Sequence, residues 1–284
     1  MRVLVTGAAG QLGTEVVAVL GSGGHDTIAA GHDRLDVGDR DAVLGAITSA
    51  RPDAVVHTAA WTAVDACEGD PDRAWRVNTL GCRYVADACR RAGAHLCAVS
   101  TDYVFDGAQD APYTEWDRTN PLNVYGRSKA AGEREVLGLL PGATVVRTSW
   151  LAGAAGPNFV KTMLRLAAGE GQVPVVDDQR GCPTFARDLA EGMARLLVAR
   201  VPGVFHMTNQ GETTWWGLAR ATFALAGADE DRVVPISSDH LVPARPARRP
   251  ANSVLDNTAL RLAGIPLLCD HREALARFVK EVGG

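Results

Sequence analysis

No stretch of this chain approaches the roughly 18 uninterrupted apolar residues of a membrane span, so no segment is expected to cross a bilayer. Basic charge is not in excess either. Lysine and arginine total 29 against 33 aspartates and glutamates, a net charge of −4 that gives no nucleic-acid footprint. The one basic concentration, at 245–249, is short and broken by proline. Six cysteines, at 67, 82, 89, 97, 182 and 269, include no Cys-x-x-Cys pair. Over this length they read as free thiols of a reduced, cytoplasmic protein, not as a disulfide framework. No two histidines stand four apart with an acid between them, so no metal ligands are assigned. Internal repeats and low-complexity tracts are missing, and the opening Met1-Arg-Val-Leu-Val-Thr6 reads as a strand, not as a secretion signal. What remains is a globular chain of 284 residues, 46% hydrophobic, able to bury a substantial core.

The first half alternates short β-branched runs with helical stretches, the rhythm of a parallel sheet covered by helices. Strands are expected at 3–5, 27–30, 54–57, 96–100 and 144–147, and helices at 11–20, 40–49 and 72–92. A further helix carries Tyr125 and Lys129. The strands are apolar on both faces, as burial on both sides requires. After about residue 150, glycine, proline and polar turns multiply, with helices expected at 158–168, 187–198, 215–226 and 272–282. The fold class is therefore α/β: a Rossmann-type doubly wound parallel sheet with a smaller α+β carboxyl-terminal substrate domain. The expected division is 1–150, with a returning segment near 181–205, for dinucleotide binding, and 151–180 with 206–284 for the substrate.

Gly7-Ala-Ala-Gly10-Gln-Leu-Gly13 follows the first strand and opens a helix. Glycines there permit a tight turn, backbone approach to a phosphate and close helix–strand packing, while the helix amino terminus presents free N–H groups. The spacing is Gly-x-x-Gly-x-x-Gly and no Gly-Lys-Ser/Thr follows, so a P-loop is excluded. Cofactor choice falls after the second strand, at Gly31-His-Asp-Arg34. Asp33 favours a free ribose 2′-hydroxyl and thus NADH, whereas Arg34 and His32 favour the 2′-phosphate of NADPH. Asp36 and Val37 either border the adenine, or Asp36 caps the next helix.

Tyr125 and Lys129, in Asn123-Val-Tyr-Gly-Arg-Ser-Lys129, stand four apart, so on a helix they share a face. A positive charge beside a phenol lowers its pKa and makes it a better acid or base near neutrality. Ser100-Thr101-Asp102 ends a strand at the carboxyl edge, where open α/β sheets place ligands. Thr101, Tyr125 and Lys129 together would move a hydride at carbon while a proton moves at oxygen. A turn hydroxyl for Thr101 and a solvated helix face for the pair are the plain alternatives.

These motifs resemble the extended short-chain dehydrogenase/reductase superfamily. Within it the chain is similar to the dTDP-4-dehydrorhamnose reductase family over nearly its whole length. The resemblance is carried by Gly7 to Gly13, Ala59-Ala-Trp-Thr-Ala-Val-Asp65, the 100–107 and 121–133 segments, Arg147-Thr-Ser-Trp150, 158–166, Asp178-Gln-Arg-Gly-Cys-Pro-Thr184 and Arg249-Pro-Ala-Asn-Ser253. It implies a C4-ketone reductase of dTDP-4-dehydro-6-deoxy-L-mannose, using NADPH or NADH with NADPH slightly favoured. Tyr125 would be the acid and Lys129 the ribose ligand that lowers its pKa, with Thr101 orienting the carbonyl. The cofactor would lie along Gly7, Gly10, Gln11, Leu12, Gly13, Asp36, Val37, Ala60, Trp61, Thr62, Tyr125 and Lys129. Thr101, Asp102, Trp150 and Arg249 would contact the substrate, with Arg249 or Lys161 on the diphosphate. Asn78 reads as a brace, and Trp215-Trp216 as packing. Some family members dimerise through magnesium on acidic side chains. No matching cluster is placed here, so magnesium is not expected, and a homodimer stays open. Related dTDP-4-keto-6-deoxyhexose reductases and a non-catalytic regulatory subunit are the competing readings.

Overall fold

In the computed structural model, which describes residues 1–283, the apolar runs become strands that bury alternate side chains on opposite faces. Strand β1 (Arg2–Thr6) sends Val3 and Val5 to one core and Leu4 to the other. That period of two, apolar both ways, is what a sheet sandwiched by helices demands. Helix α1 (Gln11–Ser22), strand β2 (Asp26–Ala30), helix α2 (Arg40–Ala50) and strand β3 (Ala54–His57) follow. Next come α3 (Val64–Gly69), α4 (Pro71–Ala74), a π-helical segment (Trp75–Leu80) and α5 (Gly81–Ala92). Strand β4 (His95–Thr101), helix α6 (Val124–Leu139) and strand β5 (Thr144–Thr148) complete the first half.

The second half begins with β6 (Leu151–Ala152), α7 (Phe159–Ala167), β7 (Val173–Val176), β8 (Arg180–Gly181) and β9 (Thr184–Phe185). It continues through α8 (Ala186–Ala199), β10 (Gly203–His206), β11 (Thr213–Thr214), α9 (Trp215–Leu225), β12 (Val233–Ile236), α10 (Thr258–Leu262) and α11 (His271–Gly283).

Six strands form one parallel sheet in the order β10-β5-β4-β3-β1-β2. The order reverses between β1 and β3, and ligands of open α/β sheets bind at the carboxyl edge of such a switch point. Helices α1 and α8 cover one face around Leu12, Val16, Leu189 and Met193. Helices α2 and α5 cover the other around Ile47, Val85 and Cys89. Thus β10 and α8, from the second half of the chain, complete the sheet and its cover. The remaining layer packs α7, α9 and α11 with the β7–β12 ladder around Phe223, Val233, Leu275 and Phe278.

Two elements differ from the sequence expectation. The helix expected over 72–92 is interrupted by the π segment, whose wider turn aims Asn78 inward. Its Oδ1 accepts from the Trp61 amide at 2.8 Å, and its Nδ2 donates to the Trp61 carbonyl at 3.1 Å and to Ser128 Oγ at 3.0 Å. The sheet also gains an unexpected edge strand, β10, whose four residues carry too little pattern to announce it. Among the described residues no helix is long and apolar enough to cross a membrane.

Candidate active site

A cleft of about 430 Å³ opens at the carboxyl edge of the sheet, between the switch point and the α7–α9 layer. Its floor is the β1–α1 turn. Gly7 has φ of +66°, and a Cβ there would stand 2.7 Å from the Ala59 backbone. A Cβ on Gly13 would overlap the Gly7 carbonyl, so the turn closes only with glycine at both places. Gly10 caps α1 without a side-chain hydrogen bond, leaving the first-turn amides free towards the cleft. Gly7, Gly10, Gln11, Leu12 and Gly13 all line it. Gln11 also ties α1 to the second half of the chain, because its Oε1 accepts from the Gly153 amide at 3.0 Å and from Asn158 Nδ2 at 3.1 Å.

Helix α6 delivers Tyr125 and Lys129, both buried, to the cleft wall. Asn123 caps that helix, accepting from the Gly126 amide at 2.8 Å, and so fixes where Tyr125 begins its first turn. Lys129 Nζ donates to the Val99 carbonyl at 2.7 Å. Burial pushes the Tyr125 phenol well above the ordinary tyrosine range, and the Thr101 hydroxyl pulls only partly the other way. Against the expectation of a phenol lowered by its lysine, burial raises it in the protein alone, and the nearby Asp102 charge adds to that direction.

Thr101 ends β4 in the same cleft. Its Oγ1 donates to Asp102 Oδ1 at 2.9 Å and accepts from the Tyr103 amide at 3.2 Å. Asp102 is 1% exposed, and burial lifts its carboxyl to about 6. Three buried oxygens lining the cleft have no protein partner: Ser100 Oγ, Asp102 Oδ2 and Thr148 Oγ1. Unpaired buried polar atoms are costly, so groups of this kind mark where a polar ligand belongs.

Ala60, Thr62 and Trp150 also line the cleft, but five other expected residues do not. Trp61 lies under the Arg73 guanidinium, 4.5 Å from its ring centre, with its backbone held by Asn78. Asp36 accepts from the Gly38 amide at 2.8 Å and pairs with Arg76 at 3.2 Å, and the Gly38 hydrogen bond above all keeps its carboxyl low. Nor does it cap α2, a role taken by Asp39. Val37 is buried against Gly81. Arg249 is held in a two-pronged pair with Asp65, at 2.6 and 2.9 Å, and on the Ala247 carbonyl. Lys161 donates to the Ala154 and Gly156 carbonyls.

The cleft gains residues that sequence reasoning missed: Ser149, Asn158, Phe159, Leu218 and Trp215. Trp215 stacks on Trp150 at 3.7 Å between ring centres and 8° between planes. Its sequence signal, a tandem tryptophan after a capping threonine, does not separate a cleft wall from core packing. Among the described residues no group of three or more histidine, cysteine or acidic side chains is placed to hold a metal ion.

A switch-point sheet, a glycine turn under a bare helix terminus, and threonine, tyrosine and lysine converging on one cleft define an extended short-chain dehydrogenase/reductase. Comparison with known proteins narrows the class. The family model described as "RmlD substrate binding domain" matches residues 1–283, and the chain belongs to that family. It is 49% identical to a dTDP-4-dehydrorhamnose reductase of Streptomyces griseus, over 96% of this chain and 91% of that one. It is 45% identical to a dTDP-4-keto-6-deoxy-D-glucose reductase of Streptomyces niveus, over 93% and 91%. Among solved structures, the Bacillus anthracis dTDP-4-dehydrorhamnose reductase in complex with NADP superposes with a TM-score of 0.94 at 37% identity, covering 99% of each chain.

Proposed function

We propose that this chain reduces the C4 ketone of dTDP-4-dehydro-6-deoxy-L-mannose to the alcohol of dTDP-L-rhamnose, with NADPH as the preferred hydride source over NADH. The single observation that carries the reading is the placement of Thr101, Tyr125 and Lys129 in the cleft floored by the Gly7–Gly13 turn. The residues present suit a dinucleotide: the turn excludes a Cβ at Gly7 and Gly13, the α1 terminus is bare, and Ser100 and Thr148 offer unpaired hydroxyls. Gly7, Gly10, Leu12 and Gly13 would hold its pyrophosphate and Lys129 its ribose. When bound, it supplies the hydride that reduces carbon.

The protein supplies the proton and the geometry. Burial keeps the Tyr125 phenol protonated at neutral pH, the form that an acid needs. Its proton goes to the C4 oxygen as that oxygen gains charge, and the Lys129 ammonium stabilises the phenolate left behind. Thr101 Oγ1, whose single proton goes to Asp102 Oδ1 in the protein alone, would turn that proton to the same oxygen and fix its direction. Asp102 and Trp150 would meet the sugar. The pairing of Arg249 with Asp65 takes it away from the diphosphate unless substrate breaks that pair.

NADPH preference rests on the segment after β2. Asp36 is occupied by Arg76 and the Gly38 amide, and Asp33 is folded onto Gly31, where a Cβ would stand 2.6 Å from its Oδ1. His32 and Arg34 are exposed beside them and free to meet a 2′-phosphate. A cytoplasmic location fits six unpaired cysteines, and a net charge of −4 fits a partner list without nucleic acid. A homodimer is an assembly that sedimentation would test.

The assay mixes the protein with NADPH and the enzymatically prepared keto-sugar and follows loss of the reduced nicotinamide absorbance. Turnover is expected, and its absence with every dTDP-4-keto sugar would sink the enzymatic reading in favour of a regulatory subunit. The second reading, reduction of a different dTDP-4-keto-6-deoxyhexose, is supported by the Streptomyces niveus relative. Product NMR separates the two, because the configuration at C4 distinguishes rhamnose from its epimers.

A further inference from the structure

Trp150 is one of only three residues other than glycine with positive φ among the described residues, at +47°. The other two, Arg51 and Arg200, close helices α2 and α8, where a left-handed residue is ordinary. Trp150 closes no helix. A bulky residue in that conformation persists only where its surroundings over-determine it, and such positions gather at functional sites.

The surroundings are specific. The Trp150 carbonyl accepts from the Thr184 amide at 3.3 Å, and Ser149 Oγ donates to the Cys182 carbonyl at 2.6 Å, so the backbone on both sides of the ring is stitched to the 182–184 segment. Gly181 precedes that segment and supplies space. A Cβ there would overlap the indole at Cε2 and come within 2.6 Å of Nε1 and 2.7 Å of Cζ2. Overlap centred on an atom bonded to both neighbours is an approach to the ring's face, not its rim. Trp215 then stacks on the indole, itself braced by Phe159 at 4.6 Å between ring centres. Its place is fixed through the same element: Gly181 pairs with Thr213 across β8–β11, and Thr214 caps α9, of which Trp215 is the first residue.

We propose that Gly181 and Trp215 are positioning residues that clamp Trp150 in its left-handed conformation, one against each face, making the remaining edge of its indole a rigid wall of the cleft against which the hexose of a nucleotide sugar is oriented. The inference rests on the dTDP-sugar reading of the same cleft. Threonine, tyrosine and lysine come from the sheet and α6, whereas this wall is braced from the second half of the chain, so one seizes the ketone and the other orients the ring that carries it. Neither positioning residue is asked to touch the reacting atoms.

The test uses Trp215→Leu, Trp215→Phe and Gly181→Ala in the full chain. Trp215→Leu removes the stack but keeps an apolar side chain against Phe159. A stacked aromatic pair contributes enough that KM for the keto-sugar should rise about three- to tenfold. The Kd for NADPH, read by nicotinamide fluorescence, should stay within about twofold, and Trp215→Phe should recover most of the KM. Gly181→Ala should change the near-ultraviolet circular dichroism that the fixed tryptophan pair gives, with the same KM defect. A Trp215→Leu variant with unchanged KM overturns the proposal, as does one in which NADPH affinity and melting temperature fall together, the mark of general loosening. The near-ultraviolet circular dichroism and the quenching of tryptophan fluorescence by dTDP-glucose are read without turnover. If the wild-type protein reduces no keto-sugar, the functional reading fails, yet these two signals still report whether Gly181 seats the ring.

Discussion

Tyr125 and Asp102 show how burial alone sorts two acids in one cleft. Both are desolvated, which disfavours the charged form of each. The phenol is thereby kept loaded with its proton, and Tyr125→Phe should lower kcat by about two to four orders of magnitude while leaving NADPH affinity nearly intact. Steady-state kinetics beside a fluorescence titration would check it, and unchanged turnover would remove Tyr125 from the role. Asp102 makes a stability prediction with a definite sign. Its carboxyl is raised from an ordinary 3.8 to about 6, so between those values the folded protein holds more protons than the unfolded chain. Stability therefore falls as pH rises through that window and does not return above it. A shift of this size corresponds to something on the order of 2–3 kcal/mol. Asp102→Asn, which keeps the neutral shape, should flatten that slope and raise the urea midpoint at pH above about 6. A variant less stable than wild type at high pH would contradict this account.

At the scale of elements, the site depends on how α6 is anchored to the sheet. Glu133, two turns along from Tyr125, meets Arg147 of β5 in a two-pronged pair at 2.7 and 2.9 Å, with both side chains buried. His206 of β10 faces the same guanidinium at 3.4 Å, and burial, then that charge, drives its imidazole down to about 3. It is neutral at any working pH and cannot replace Glu133 as counter-ion. Glu133→Gln should therefore leave Arg147 charged and unpaired, costing about 3–5 kcal/mol in denaturant unfolding. Glu133→Met with Arg147→Met should recover much of that loss, because the expensive state is the half-pair. Equal stability of the single and double variants would show that the pair is not what holds the helix. Helix α6 itself was legible from its residues, since Tyr125 and Lys129 stand at the helical spacing and Asn123 is a good cap. The π segment was not. Its extra residue per turn serves the hydrogen bonds of Asn78 to Trp61 and Ser128, partners that the sequence does not place nearby. The same limit hid Trp215, whose stacking on Trp150 is a contact across 65 positions. It also misplaced Arg249, whose partner Asp65 lies far back in the chain. Glycine turns, caps and strand runs are local and readable, whereas pairings between the two halves are decided by tertiary packing.

Taken as a whole molecule, the chain is two layers that meet on one cleft, with Gln11 bonded to both Gly153 and Asn158 across the junction. A dinucleotide lying on the Gly7–Gly13 turn would contact a residue that also holds the second layer, so its binding should stabilise the protein as a unit. Ligand at about 100 times its Kd adds roughly 2.7 kcal/mol to unfolding, which for a chain of this size is about 4–5 °C in melting temperature. The same arithmetic ranks the two cofactors without any substrate. With Asp36 paired to Arg76 and His32 and Arg34 exposed, NADPH at equal concentration should give the larger shift. Arg34→Ala should shrink the NADPH shift towards the NADH value and leave the NADH shift alone, because only the 2′-phosphate is lost from its reach. Equal shifts for both cofactors in the wild-type chain, or an Arg34→Ala change that weakens both alike, would transfer cofactor choice from this charge to the shape of the adenine pocket.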